Sequence, residues 1–169
     1  MKKLLSVIII ILVLGFAEQV FSAGTVTQAF YHDVNSGNIN IEFTCKGATD
    51  DGTVPDTPIS DANMAKLRGA GLYLYAVSAK PIAGGVTPDA ADVFILSAAT
   101  QDYLGSTDAG VTASKGANLI HATYEYTTLP YNGFMSSYWY PPADDTMTLR
   151  VKNQASASAD WAIKLYFRK

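Results

Sequence analysis

The sequence predicts an all-β fold, a single antiparallel β-sandwich of jelly-roll or Ig-like type with one short helix. Short apolar segments, about seven or eight of them, alternate with clusters of turn-forming residues, which is typical of a sandwich. The helices that a parallel α/β sheet requires between successive strands are missing. A hydrophobic content of 49% and a charged content of 16% in 169 residues predict a folded core rather than a disordered chain.

The N-terminal segment has the organisation of a secretory signal peptide. A basic start at Lys2-Lys3 precedes an apolar run over residues 4–17. That run is short against the roughly 20 residues that span a bilayer, so an uncleaved membrane anchor is the weaker alternative. We expect residues 1–22 to be removed, leaving a single domain over 23–169 in the periplasm or the extracellular space. Membrane contact is expected only through the uncleaved signal peptide.

The first two strands form a predicted β-hairpin. Residues 25–33 and 39–46 are rich in β-branched and aromatic side chains, and turn formers separate them. Cys45 is the only cysteine of the chain. It shares an apolar strand face with Ile41 and Phe43, because side chains alternate along a strand. We interpret it as a small buried side chain, with a reactive thiol or an intermolecular disulfide as the alternative.

One short helix is predicted over residues 60–68. Ser60 can cap its N-terminus, Asp61 suits the positive end of the helix dipole, and Gly69 can end it. The preceding residues 47–58 are rich in Gly, Pro and Asp and therefore predict a loop.

The remaining strands are predicted from five apolar segments. They are residues 71–77, 92–97, 119–126, 146–152 and 160–167. Residues 92–97 are apolar on both faces, which indicates a central strand covered on both sides. The last strand alternates like a half-buried antiparallel strand, and its apolar face is predicted to point inward. That face consists of Trp161, Ile163, Leu165 and Phe167.

The order of several short blocks carries a family resemblance. The blocks are Asp50 to Thr57, Val86 to Asp89, Asp92 to Leu96, Asp102 to Gly105, Gly116 to Asn118, Met147 to Val151 and Ile163 to Phe167. Over residues 38–168 this order resembles small all-β proteins encoded among the structural genes of tailed phages and prophages. The resemblance implies a non-catalytic structural or surface-binding role and names no active site.

The sequence lacks the residue patterns that are typical of catalytic sites. His32 and His121 lie on different predicted strands, with no cysteine or carboxylate at metal-ligand spacing nearby. No Gly-x-Ser-x-Gly element and no phosphate-binding Gly loop occurs. We therefore expect a protein that is not an enzyme and has no metal or cofactor. An enzyme whose site assembles only in space is the weakest hypothesis.

Acidic residues outnumber basic ones, and the net charge is -3. This balance argues against a nucleic-acid partner, because such proteins present a basic face to the phosphates. Two acidic pairs, Asp50-Asp51 and Asp144-Asp145, fall in predicted loops. We interpret them as solvated turn residues, with calcium ligation as the alternative.

The most informative local feature is an aromatic segment over residues 131–140. Its aromatic side chains are candidates for a binding surface, since they combine a large apolar area with few rotatable bonds. The candidate binding residues are Tyr131, Phe134, Tyr138, Trp139 and Tyr140. Two other interpretations stay open: the rings cover the core or an open edge of the sandwich, or they contact another subunit.

The function expected from these features is an exported, non-enzymatic β-sandwich with a structural, assembly or surface-interaction role, similar to a virion protein. Its partner would be another protein or a second copy of the chain. The alternative is a secreted ligand-binding module that uses the aromatic segment, with carbohydrate as the leading ligand class.

Overall fold

A computed structural model describes most of the chain beyond the predicted signal peptide. The described residues are 23–33, 37–99, 101–104, 117–120, 125–132, 137–138, 140–143 and 146–169. Residues 1–22, and with them the predicted signal peptide, lie outside this part of the chain. Within the described residues, no helix combines the length and the apolar content needed to cross a bilayer.

The described secondary structure is eleven strands and one helix. The strands are β1 (Thr25–His32), β2 (Ile39–Lys46), β3 (Thr57–Pro58), β4 (Tyr73–Pro81), β5 (Ala91–Leu96), β6 (Ala117–Ile120), β7 (Tyr126–Thr128), β8 (Tyr131–Asn132), β9 (Ser137–Tyr138), β10 (Thr148–Lys152) and β11 (Asp160–Arg168). The helix is α1 (Asp61–Ala70). The all-β prediction is confirmed at this level.

The strands form two larger antiparallel sheets. A five-stranded sheet has the order β1-β2-β11-β4-β7, and a four-stranded sheet has the order β3-β10-β5-β6. A separate two-stranded hairpin pairs β8 with β9. β5 lies inside the second sheet between β10 and β6, as its two-sided apolar pattern predicted.

The register of β1, β2 and β11 defines the two ends of the five-stranded sheet. Lys46 pairs with Thr25 on one side and with Asp160 on the other. At the opposite end, Ile39 pairs with His32 and with Phe167. The predicted β1–β2 hairpin is therefore confirmed, and the chain enters β1 at the end opposite to the one at which β11 finishes.

Buried residues of both sheets and the helix belong to one hydrophobic cluster. The predicted inward face of β11 is confirmed, because all four of its apolar side chains are buried. Phe43 and Ile41 on β2 are fully buried beside them. Each such side chain contributes roughly 1.5–3 kcal/mol through its removal from water, so this cluster dominates the folding energy.

The helix α1 begins where the sequence predicted and ends later. The Ser60 hydroxyl caps the N-terminus by accepting a hydrogen bond from the Asn63 N–H at 3.4 Å. The prediction that Gly69 ends the helix is wrong, because Gly71 takes the left-handed conformation at φ 62°. The Gly71 N–H donates to the Arg68 carbonyl at 3.0 Å, which closes the last turn.

Two predicted segments are divided differently in the structure. Residues 119–126 were predicted as one strand, but β6 pairs with β5 in one sheet and β7 pairs with β4 in the other. A continuous alternation cannot reveal that the chain changes sheets between two strands. The predicted loop 47–58 ends in the short strand β3, which pairs with β10.

The Gln28 side chain joins the edges of the two sheets. Its Nε2 donates to the Pro58 carbonyl at 2.6 Å, and its Oε1 accepts from the Ser60 N–H at 3.1 Å. Gln28 belongs to the edge strand β1, whereas Pro58 belongs to the edge strand β3. The side-chain amide therefore acts as a peptide group would between two neighbouring strands.

The loops at the β1 entry end pack backbone against backbone. Gly52 has φ +72°, and a Cβ on it would lie 2.6 Å from the Ser156 carbonyl oxygen. Glycine at position 52 therefore satisfies two demands, a positive φ and a close approach of two loops.

Candidate functional site

A β-bulge in β4 creates the aromatic surface at the far end of the five-stranded sheet. Ala76 pairs with Tyr166 and Leu74 pairs with Phe167, so Tyr75 is the extra residue between two register positions. The bulge reverses the alternation, so Leu74 points into the core, where it is fully buried. Tyr75 then lies on the outer face beside Tyr166. Bulges of this kind re-aim side chains near functional sites.

The Arg168 guanidinium contacts two tyrosine rings. Its guanidinium carbon lies 3.8 Å from the centroid of the Tyr75 ring and 5.1 Å from that of the Tyr140 ring. The two rings are 5.9 Å apart with an interplanar angle of 42°. Both contacts fall within the range of cation–π attraction, which fixes the orientation of the guanidinium.

Tyr73 lies beside this cluster and completes an exposed patch. It pairs with Arg168 across β4 and β11, and 45% of its surface is exposed, against 40% for Tyr140. Tyr73, Tyr140 and Arg168 line a groove of about 330 Å³. We call the patch formed by Tyr73, Tyr75, Tyr140 and Arg168 the Tyr–Arg surface.

Backbone hydrogen bonds bring Tyr140 to the start of β4. The Leu74 N–H donates to the Pro141 carbonyl at 2.9 Å, and the Ala143 N–H donates to the Leu72 carbonyl at 2.9 Å. Between them, Pro142 forms an isolated antiparallel bridge with Tyr73. These bonds hold the segment against the sheet edge, so the position of Tyr140 does not depend on its own side chain.

A second groove adjoins the Tyr–Arg surface on the outer face of the sheet. It has a volume of about 460 Å³, and its walls include Asn40, Tyr75 and Tyr166. The Tyr166 hydroxyl lies 3.1 Å from the Ser78 hydroxyl, which orients the ring. The groove therefore combines aromatic rings with a side-chain amide.

The five predicted binding residues fall in different categories. Tyr140 is exposed and belongs to the Tyr–Arg surface. Tyr131 and Tyr138 are register partners in the hairpin of β8 and β9. Phe134 and Trp139 lie outside the described residues. Of the five predicted residues, the structure therefore places only Tyr140 in the Tyr–Arg surface.

Sequence reasoning missed Tyr73, Tyr75 and Arg168. The two tyrosines were part of a predicted strand, where they alternate with Leu74 and would share one face. Arg168 follows the last inward residue of β11, so alternation alone would have placed it outside. The sequence does not predict the bulge in β4, because the bulge depends on the pairing of β4 with β11.

The Cys45 thiol is buried, as the sequence predicted. It is fully inaccessible and free. Burial raises its pKa from 9.0 to about 12, because a thiolate is poorly solvated inside the core. This environment favours an inert structural thiol over the reactive alternative.

The acidic pair Asp50-Asp51 acts within its own turn. The Asp51 carboxylate accepts from the Thr53 N–H at 2.9 Å and from the Thr53 hydroxyl at 2.8 Å. These bonds hold the Asp51 pKa below its ordinary value of 3.8. The geometry supports the predicted turn role. The second pair, Asp144-Asp145, lies outside the described residues.

Metal-ligating residues do not gather in the described part of the chain. No group of three or more His, Cys, Asp and Glu side chains with ligand geometry occurs there. His32 is exposed at the end of β1, and His121 lies outside the described residues. Comparison of the chain with family models, with curated proteins and with solved structures finds no match.

Proposed function

We propose that this protein is an exported, non-enzymatic β-sandwich that binds a protein partner through its Tyr–Arg surface. The observation that carries the proposal is the stacking of Arg168 on Tyr75 and Tyr140 at an exposed sheet end. Tyrosine and arginine are enriched among the residues that dominate binding energy at protein interfaces. Their orientation before binding reduces the entropy that association costs.

The sandwich arrangement is supported by the composition of the core. Ile41 and Phe43 of the five-stranded sheet belong to the same buried cluster as Val93 and Ile95 of the four-stranded sheet. Two antiparallel sheets that share one core in this way are the expected layers of a sandwich. Export is supported by the signal-peptide pattern of the first 22 residues. The resemblance to phage structural proteins favours an assembly role, in which the partner is another subunit.

A carbohydrate ligand is the second candidate function. The groove that contains Asn40, Tyr75 and Tyr166 supports it, since amides and aromatic rings are suitable contacts for sugars. The position of Arg168 makes a carbohydrate ligand the weaker of the two candidates. Its guanidinium covers a face of Tyr75 at 3.8 Å, whereas a sugar-stacking platform needs a free ring face.

Site-specific crosslinking tests the protein-partner proposal. A photoreactive phenylalanine analogue replaces Tyr140 in the full chain, in the cells that produce it. The control carries the analogue at Lys80, which is exposed near the opposite end of β4. We expect a defined protein adduct from position 140 and none from position 80. Absence of an adduct at 140, or equal adducts at both positions, contradicts the proposal.

Two variants of Arg168 sharpen the test. Arg168→Ala removes the guanidinium, and Arg168→Lys keeps the charge but loses the planar group that stacks on the rings. We expect both variants to lose the adduct from position 140. Light scattering of the purified protein then shows whether the partner is a second copy. If the protein binds a glycan array and neither Arg168 variant changes that binding, the result would instead support the carbohydrate candidate.

A further inference from the structure

A separate groove lies between α1 and the ends of β1, β2 and β11. Its volume is about 620 Å³, within the roughly 300–1,000 Å³ typical of small-molecule sites. Its walls include Phe30, His32, Ile39, Lys66, Leu72 and Arg168. We call it the cationic groove. It shares Arg168 and Lys169 with the groove beside Tyr140.

The floor of the cationic groove is apolar. Ile39 and Leu72 belong to the hydrophobic core cluster, and Phe30 packs against that cluster. Ile39 retains 5% exposure and Leu72 retains 2%, so the floor is a small opening onto the core. Apolar ligand atoms placed there would extend the packing of the core and leave water.

The rim of the groove is positively charged. The Lys66 ammonium lies 4.4 Å from the centroid of the Phe30 ring, which holds it over the groove. Elsewhere in the described chain, Arg150 and Lys164 are paired with carboxylates. Among the described residues, neither Lys66 nor Arg168 has a carboxylate within ion-pair distance. Asp33 lines the neighbouring groove that contains Asn40 and is not among the residues that line the cationic groove.

We propose that the cationic groove binds a small organic anion with an apolar tail, of the class of medium-chain carboxylates. The carboxylate pairs with Lys66 and Arg168, and the tail lies on Ile39 and Leu72. An unpaired cation beside an apolar floor matches both parts of such a ligand. A purely inorganic anion would leave the floor exposed to water, and a neutral amphiphile would leave both cations without a counter-charge.

Calorimetric titration of the purified protein with three probes tests this proposal. Decanoate carries both features, decanol lacks the charge, and inorganic phosphate lacks the tail. We expect saturable binding of decanoate that is tighter than that of either other probe and weakens as salt is added. Equal binding of decanol and decanoate overturns the proposal, as does phosphate binding equal to that of decanoate, or an absence of saturable decanoate binding.

Two variants locate the site. Lys66→Gln is expected to weaken decanoate binding about three- to fivefold, the effect of one exposed ion pair. Ala70→Glu places a carboxylate on the groove wall and is expected to weaken it further. Lys80→Gln is the matched control and should leave the affinity unchanged. Equal effects of Lys66→Gln and Lys80→Gln contradict the assignment of the site.

The crosslinking experiment separates this proposal from the proposed function. Lys66→Gln leaves Tyr75, Tyr140 and Arg168 unchanged, so the adduct from position 140 should persist in that variant. Decanoate binding that is weakened three- to fivefold, together with a retained adduct, identifies two distinct sites. Weakened decanoate binding together with loss of the adduct in Lys66→Gln would overturn the assignment of two sites and indicate a single contact surface.

Discussion

Removing the Gln28 side chain should destabilise the protein although Gln28 lies at a sheet edge. The substitution Gln28→Ala deletes the hydrogen bonds to the Pro58 carbonyl and from the Ser60 N–H, at 2.6 and 3.1 Å. Each hydrogen bond of this type contributes about 0.5–1.5 kcal/mol net. We therefore expect the free energy of unfolding to fall by about 1–3 kcal/mol. The loss affects both sheets, since Gln28 connects β1 to β3 and to the N-terminus of α1.

Urea denaturation followed by tryptophan fluorescence measures this effect. With an m-value of about 2 kcal/mol/M, a loss of about 2 kcal/mol lowers the urea midpoint by about 1 M. The m-value should stay constant, because the same surface is exposed on unfolding. Gln101→Ala is the matched control, since no hydrogen bond joins the Gln101 side chain to a described residue. Coinciding midpoints of the two variants would refute the role assigned to the Gln28 amide.

The remaining predictions concern the tight loops and the buried thiol. Gly52→Ala should destabilise the protein by more than Gly84→Ala, because both positions have positive φ but only Gly52 approaches the Ser156 carbonyl; equal shifts in thermal midpoint would contradict this. Cys45 should resist thiol-reactive dyes until the protein unfolds, and early labelling would contradict its burial. Folding raises the pKa of the Cys45 thiol. The contribution of this thiol to the free energy of unfolding is therefore complete below pH 9.0 and declines as the pH rises towards about 12. Cys45→Val should reduce that alkaline decline in urea midpoint.

The sequence was most informative where one local rule decided the structure. The β1–β2 hairpin and the inward face of β11 followed from alternation with period two, and the register of both strands agrees. The cap of α1 followed from the hydrogen-bonding capacity of Ser60. In each case neighbouring residues contain the physical cause, so no tertiary information is needed.

Prediction was limited where distant segments decide the outcome. Gly69 and Gly71 are both able to end the helix, but only Gly71 allows the following residue, Leu72, to bond to Ala143 and enter the core. Likewise, Tyr75 and Arg168 meet because β4 is bulged against β11. The aromatic composition pointed to Tyr140, but its partners are placed by strand pairing that the local sequence does not encode.

The ends of the five-stranded sheet determine how the protein should be attached to a sensor chip. Thr25 lies at one end of the sheet and Arg168 at the other. The eight residues of β1 extend along this direction for about 25 Å, at about 3.3 Å per residue. A tag placed ahead of β1 would therefore display the Tyr–Arg surface towards the solution. A tag placed after residue 169 would cover it and suppress the binding that the chip is meant to record.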